Sequence, residues 1–203
     1  RAQQARKPLR AREGTHRVLK PPSHLWAMDR TRIALLAFIS IALAPYVAAC
    51  FFIHPFGDDF SYAVAGMRTE LFPRLRDEYL NWNGRWASNP LLLRGPLVLG
   101  IEQGLWLYRL VPVLLMITAT FGWRAFLRAL LPALSSADLL LGSLLLLLLS
   151  LQVMTDLGEG LYWYTGAITY TLAGALSLFV MAFWLRAWRE DWRLTRFAAL
   201  RIA

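Results

Sequence analysis

Four long apolar blocks divide the chain, and charged and turn-forming residues separate them. The first block, residues 33–53, has 21 residues without a charge. A helix rises about 1.5 Å per residue, so a block of this length crosses a hydrocarbon core of about 30 Å. Further blocks run over residues 105–123, 139–155 and 166–185. The pattern predicts an all-α, polytopic membrane protein with four transmembrane helices.

Composition agrees with this class, since 57% of the residues are apolar and only 17% are charged, against about a quarter charged in soluble domains. A cleaved signal peptide is the alternative for the first block, but the block is longer than a signal peptide's apolar region and has no clear small-x-small site. The single cysteine, Cys50, allows neither a disulfide framework nor a thiolate metal site. Because the sequence starts at Arg1 and stops at Ala203 within a new helical pattern, we expect a fragment, or a start site misplaced upstream of Met28.

Charges sort between the two sets of segments that connect the blocks. Residues 1–32, 124–138 and 186–203 hold sixteen Lys and Arg against five Asp and Glu, whereas residues 54–104 and 156–165 hold five arginines against eight acids. This asymmetry is the positive-inside rule with a cytoplasmic N-terminus. It also explains the net charge of +9 without a nucleic-acid partner, since the basic tail lacks interleaved aromatics or a folded binding motif. The expected partner is the lipid bilayer.

The first outer segment, residues 54–104, is much longer than a connection requires, and such segments are usually functional or disordered. Pro73 favours two short helices over one within it. Apolar residues recur there at helical spacing: Phe60, Val64, Met67, Leu71, Leu75, Tyr79 and Trp82. The other face carries Arg68, Glu70, Arg74, Arg76, Asp77 and Glu78. We expect amphipathic helices that lie flat in the membrane interface.

Two adjacent carboxylates, Asp58 and Asp59, follow the first span in the sequence HPFGDDF. Carboxylates at the membrane boundary can act as a general base, or together can hold a divalent cation such as Mg²⁺ or Mn²⁺. They are therefore candidate catalytic residues and, if the chemistry depends on a metal, candidate ligands. The alternative is that one of them caps the following helix.

Two aromatic motifs on the same side are candidates for substrate binding. The turn NWNGRW combines amides, indoles and a guanidinium, which stack on sugar faces and bind phosphate or carboxylate groups. Its candidate residues are Trp82, Asn83, Arg85 and Trp86; those of the second motif, EGLYWY, are Glu159, Tyr162 and Trp163. The alternative is that the aromatic residues anchor helices at the interface and that the arginine pairs with a nearby acid.

Three stretches, HPFGDDFSYA, YLNWNGRWASN and EGLYWYTGAITY, together resemble a bacterial family of multi-pass membrane proteins of uncharacterised function. The layout of that family is similar to that of the C-type (GT-C) glycosyltransferases, which use polyprenyl-phosphate sugars. The resemblance implies sugar transfer from a lipid-linked donor at the outer face of a bacterial cytoplasmic (inner) membrane. It implies Asp58 or Asp59 as general base or metal ligand, Arg85 as a phosphate contact and Glu159 as an acid of the second outer loop. Such enzymes usually have seven or more spans, so this chain would be an N-terminal part.

Two other classes of function stay open. A transporter or flippase component for lipid-linked sugars is expected to have charged or broken helices at the bilayer midplane, where the spans offer only Pro45, Pro112 and several glycines. In a non-catalytic membrane scaffold, the acids would cap helices and the aromatics would anchor them. No nucleotide-binding glycine loop is visible in the sequence.

Overall fold

The structure, a computed structural model, describes residues 29–189. Within this range the chain is all-helical and has no strand, which confirms the predicted all-α class. The helices are α1 Arg30–Cys50, α2 Asp58–Arg68, α3 Leu71–Asn81, α4 Asn89–Leu93, α5 Ile101–Leu130, α6 Ser136–Gln152 and α7 Tyr164–Arg189. A 3₁₀ turn, Pro96–Leu99, precedes α5, and π-helical turns occupy Gly158–Tyr162 and Ala167–Thr171. Most of the predicted basic tail and the segment after residue 189 lie outside the described residues.

Three helices, α1, α5 and α7, are long and apolar enough to span a membrane. With 30 residues, α5 extends beyond the predicted span 105–123 at both ends. The α6 helix is apolar but has only 17 residues, about 26 Å at 1.5 Å per residue. The fourth span, predicted over residues 139–155, therefore stays a prediction.

The four long helices run in alternating directions. Asp29 caps α1 by accepting the N–H of Arg32 at 2.8 Å, and the guanidinium of Arg32 pairs with Asp138 at 3.1 Å, which joins the starts of α1 and α6. At the same end of the bundle, Arg189 donates to the carbonyl of Leu130 at 2.7 Å, which joins the ends of α7 and α5. We call this the arginine end; the loop end, opposite, carries residues 51–100 and 153–163.

The α5 helix lies at the centre of the bundle and packs closely on α7. A Cβ added at Gly122 would lie 2.9 Å from the carbonyl oxygen of Ala175, so a larger residue would separate the two helices. The outer surface of the bundle is apolar, with Phe38 67% exposed and Ile41 73% exposed. Such an apolar surface is compatible with a surrounding lipid bilayer.

A second layer, formed by α2, α3 and α4, covers the loop end. Its core contains Tyr62, Leu75, Leu92, Leu93 and Leu97, and it joins the bundle through Tyr108 and Tyr164. The contact between α2 and α4 depends on Gly66, because a Cβ there would lie 1.9 Å from the carbonyl oxygen of Leu93. Both candidate carboxylates, Asp58 and Asp59, lie in this layer, in the first turn of α2.

The α2 and α3 helices bury residues that lie outside the predicted apolar face. Phe60, Val64 and Met67, which form that face on α2, are all exposed, and α2 packs on its neighbours through Tyr62, Ala63 and Gly66. Glu78, predicted on the polar face of α3, is only 3% exposed.

Candidate functional site

Asp59 joins three separate parts of the chain. Its Oδ1 accepts hydrogen bonds from the Thr165 hydroxyl at 2.7 Å and the Thr165 N–H at 3.0 Å. Its Oδ2 accepts from the Tyr108 hydroxyl at 2.7 Å and from the N–H of Phe56 at 3.2 Å. The residue is only 3% exposed. A buried carboxylate with four donors links the start of α2 to α5 and to the first turn of α7.

Asp58 and Asp59 share the first turn of α2 but face different surroundings. Successive residues on a helix point about 100° apart, so when Asp59 points into the bundle, Asp58 points away from it. Asp58 is exposed and lines a cleft between α2 and α3. Neither aspartate is the N-cap, a position that Gly57 holds at a φ of 52°, in the region that favours glycine.

The α2–α3 cleft has a volume of about 400 Å³ and is lined mainly by polar side chains. Arg74 pairs with Glu78 at 2.6 Å and with Asp77 at 3.2 Å, and Asn81 donates to Asp77 at 2.7 Å. These bonds fix four side chains of the α3 wall, those of Arg74, Asp77, Glu78 and Asn81. Asp58 lines the same cleft from the α2 wall. The cleft is therefore a charged hollow at the loop end, with an exposed carboxylate on one wall and an ordered ion-pair network on the other.

Asn83 attaches the NWNGRW turn to this cleft. Its amide nitrogen donates to Glu78 Oε2 at 3.4 Å and to the Tyr62 hydroxyl at 3.5 Å. Its amide oxygen accepts from the Asn89 side chain and from the N–H of Arg85, both at 3.1 Å. Side-chain hydrogen bonds therefore connect the turn to Tyr62 and Glu78 before it in the chain and to Asn89 after it.

The charged groups around the cleft shift the pKa of Tyr62. Burial raises the pKa of the Tyr62 phenol, the hydrogen bond from Asn83 lowers it, the charges of Glu78 and Asp58 raise it and the charge of Arg85 lowers it. These two carboxylates and this guanidinium therefore act on one buried hydroxyl. Arg85 is itself exposed, and its charge acts on Tyr62, a residue that lines the cleft.

The two tryptophans of the NWNGRW turn are separated. Trp82, 79% exposed, lines the α2–α3 cleft. Trp86 stacks edge-on against Tyr79, with ring centroids 5.6 Å apart, and lines a different hollow beside α3. Of this motif, Trp82 thus lines the cleft and Asn83 bonds to two of its lining residues, Tyr62 and Glu78, whereas Trp86 is not at the cleft.

The residues of the EGLYWY motif line a second hollow of about 400 Å³, which we call the His54 groove. Glu159, Tyr162 and Trp163 form one side of it, and residues 53–56 form the other. The Trp163 indole donates to the carbonyl of Phe56 at 3.1 Å, and burial raises the pKa of Tyr162 to about 12. The predicted site residues that line a hollow therefore fall into three: Asp58 and Trp82 line the α2–α3 cleft, Trp86 lines the hollow beside α3, and Glu159, Tyr162 and Trp163 line the His54 groove.

The aspartate pair does not fit a divalent cation. Both oxygens of Asp59 are taken by donors from the protein, and Asp58 points elsewhere. Among residues 29–189 no group of three or more His, Cys, Asp or Glu side chains is placed to hold a metal ion. No step through a metal is therefore derived for this site.

Several residues of the site were missed from the sequence. Tyr108 and Thr165, which hold Asp59, lie 49 and 106 positions from it, so no local pattern connects them. The Arg74–Glu78 ion pair does have a sequence pattern that predicts it, because opposite charges four positions apart meet on one face of a helix. That spacing predicts the pair, but it does not predict that Glu78 is buried.

Comparison of the chain with protein-family models, with curated proteins and with solved structures gave no match. The fold and the site themselves define the class of protein. It is a helical protein with three helices long and apolar enough to span a membrane and with an ordered polar layer over one end of the bundle.

Proposed function

We propose that the chain is a multi-pass protein of a bacterial cytoplasmic membrane, with its N-terminus in the cytoplasm and its loop end outside. Support comes from the charges at the two ends. The arginine end carries Arg30, Arg32, Arg124, Arg128, Arg186 and Arg189, with Asp29 and Asp138 as acids among the described residues. Basic residues at the cytoplasmic ends of spans are the main determinant of orientation.

Labelling of single cysteines tests this orientation. Cys50 is fully buried and its thiol donates to the carbonyl of Tyr46 at 3.2 Å; because a serine hydroxyl can make the same bond, a background with Cys50→Ser is expected to fold. In that background, Ser61→Cys reports on the loop end and Ala133→Cys on the arginine end; both positions are exposed. A membrane-impermeant maleimide should label position 61 and not position 133 on intact cells. The reverse pattern would refute the orientation.

We further propose that the loop end transfers a sugar from a polyprenyl-phosphate donor, as GT-C-like glycosyltransferases do, or forms the N-terminal part of such an enzyme. The observation that carries this proposal is the α2–α3 cleft, where exposed Asp58 faces the Arg74–Glu78 network beside Trp82. A lipid-linked sugar phosphate keeps its anionic head at the interface and its chain in the bilayer. A polar cleft next to membrane helices suits that head group.

In this proposal each residue has a separate role. Asp58 takes the proton from an acceptor hydroxyl. The resulting oxygen attacks the anomeric carbon, the bond from that carbon to the phosphate oxygen breaks, and its electron pair leaves with the lipid phosphate. Arg85 supports the charge on the phosphate, and Trp82 offers an apolar face to the sugar. Asp59 holds the layer in place.

Asp58→Asn in the full-length protein is the decisive variant. General-base catalysis contributes about 100-fold or more, so sugar transfer from a polyprenyl-phosphate donor should fall by about that factor while the protein folds normally. Glu70→Gln is the matched control, since Glu70 is exposed and makes no side-chain cap bond. Full transfer by a folded Asp58→Asn protein would exclude the catalytic assignment.

A non-catalytic membrane scaffold is the second candidate. The four hydrogen bonds to Asp59 favour it, because one of the two candidate acids has a structural role. For a scaffold, Asp58→Asn changes neither activity nor stability, whereas Asp59→Asn destabilises the loop end. Asp58→Asn therefore distinguishes an enzyme from a scaffold, since Asp59→Asn destabilises the loop end in both cases.

A further inference from the structure

A cleft at the arginine end is lined by three arginines from two helices. Arg124 and Arg128 of α5 and Arg186 of α7 border a hollow of about 310 Å³. None of the side chains that line it is acidic, and none of the three arginines forms an ion pair within residues 29–189. Three positive charges are thus gathered around one space, and no carboxylate from residues 29–189 lines it.

The known bonds of these arginines leave most of their donors free for a ligand. Arg124 donates to the carbonyl of Ser136 at 3.2 Å, and Arg128 donates to the carbonyl of Leu134 at 3.5 Å. Each bond uses one of the five N–H groups of a guanidinium and leaves the charge in place, because the acceptor is a neutral carbonyl. Guanidinium groups arranged in this way match the oxygens of a phosphate.

The rest of the lining is apolar, and its two phenylalanines lie deeper in the bundle than the arginines. Phe121 precedes Arg124 by one turn, about 4.5 Å along α5, and Phe179 precedes Arg186 by two turns, about 10 Å along α7. Phe121 is 58% exposed, and it opens the cleft toward the surface that faces the bilayer. A cationic rim above an apolar wall fits an amphiphile better than a free inorganic anion.

We propose that this cleft binds the phosphate of an anionic phospholipid, with the arginines on the headgroup and Phe121 and Phe179 against the upper acyl chain. The site is separate from the loop-end cleft and does not depend on the function proposed there. The positive-inside rule requires basic residues at this end, but it does not require three of them to border one cavity with an apolar floor.

Lipid titration of the purified full-length chain in detergent tests the site. The probes are dioctanoyl phosphatidylglycerol, dioctanoyl phosphatidylcholine with the same acyl chains, and inorganic phosphate; the readouts are the bound lipid and the shift in unfolding temperature. Phosphatidylglycerol should bind and stabilise more strongly than phosphatidylcholine, and inorganic phosphate at the same concentration should not stabilise. Equal effects of the two lipids, or an equal effect of inorganic phosphate, would overturn the proposal.

Two charge-removing variants and one control locate the binding. Arg128→Gln and Arg186→Gln should each weaken binding of phosphatidylglycerol about fivefold. Arg128 is exposed, so its variant is expected to fold even if Arg186→Gln does not. Arg189→Gln removes the same charge at the same end, but Arg189 does not line the cleft and should change binding less than twofold. If Arg189→Gln weakens binding as much as Arg128→Gln, the effect is diffuse attraction and the proposed site is refuted.

Discussion

Replacing Asp59 with Asn tests whether this residue holds the loop end together. The substitution keeps the size of the side chain but exchanges one acceptor oxygen for an NH₂ donor. Each oxygen of Asp59 accepts two hydrogen bonds, one pair from Thr165 and the other from Tyr108 and Phe56. An amide can serve only one of these pairs, so its NH₂ group must face two donors.

The cost follows from which donors can adjust. If the amide oxygen stays with Thr165, the Tyr108 hydroxyl can turn to accept from the NH₂ group and donate to the carbonyl of Tyr162, 3.4 Å away. The N–H of Phe56 cannot turn and loses its partner, and a buried unpaired donor costs about 1–3 kcal/mol. The remaining bonds also lose the contribution of the charge. We expect the free energy of unfolding to fall by about 3 kcal/mol.

Equilibrium unfolding in mixed micelles measures this loss, with Asp58→Asn as the control. Asp58 is exposed and contributes mainly by its charge in the first turn of α2, so its variant should lose less than about 1 kcal/mol. Proteolysis of residues 51–100 should also become faster in Asp59→Asn, because α2 loses its attachment to α5 and α7. Equal stability of the two variants would refute the structural role of Asp59.

Two further predictions concern the loop-end layer. Gly66→Ala should destabilise the protein by several kcal/mol and release α2 from α4, because its Cβ would lie 1.9 Å from the Leu93 carbonyl oxygen. Gly174→Ala is the control: nothing lies within 4 Å of its added Cβ, so it should be neutral or slightly stabilising in thermal unfolding. Similar losses of stability in both variants would contradict the packing of α2 on α4. The fold raises the pKa of Tyr162 from 10.0 to about 12, so the neutral phenol stabilises the protein below pH 10 and this contribution is lost as the pH rises through about 12. Tyr162→Phe should therefore lose less stability than the parent protein over that range in alkaline unfolding, and an identical loss would contradict the assignment.

The long helices were predictable because the bilayer leaves little choice of structure. A segment that crosses hydrocarbon must satisfy its backbone hydrogen bonds internally and expose apolar side chains, so an apolar block of sufficient length indicates a helix at α1, α5 and α7. Their exact ends were not predictable from apolar length alone. The α5 helix continues to Leu130, past Arg124 and Arg128, because a helix can continue beyond its apolar stretch.

The loop-end layer was predictable only in part. Helical spacing and Pro73 indicated two short helices, but the faces were assigned by hydrophobicity, and this assignment was wrong for Glu78. Glu78 is buried because Arg74 pairs with it at 2.6 Å, a local compensation that hydrophobicity cannot show. The small residues Ala63 and Gly66 mark the packed face of α2, because only small side chains allow the backbone of α4 to approach so closely.

The two adjacent aspartates could not be assigned separate roles from the sequence, and their separation limits how mutations can be interpreted. Asp58 and Asp59 are neighbours on α2, so their side chains point about 100° apart. Asp59 therefore points into the bundle, whereas Asp58 lines the cleft. Loss of activity in an Asp59 variant would therefore follow from loss of the fold as readily as from loss of chemistry. Only Asp58 can be changed without disturbing the bonds to Tyr108 and Thr165. The catalytic hypothesis therefore depends on Asp58→Asn, and data from Asp59 variants count toward it only where the loop end is shown to remain folded.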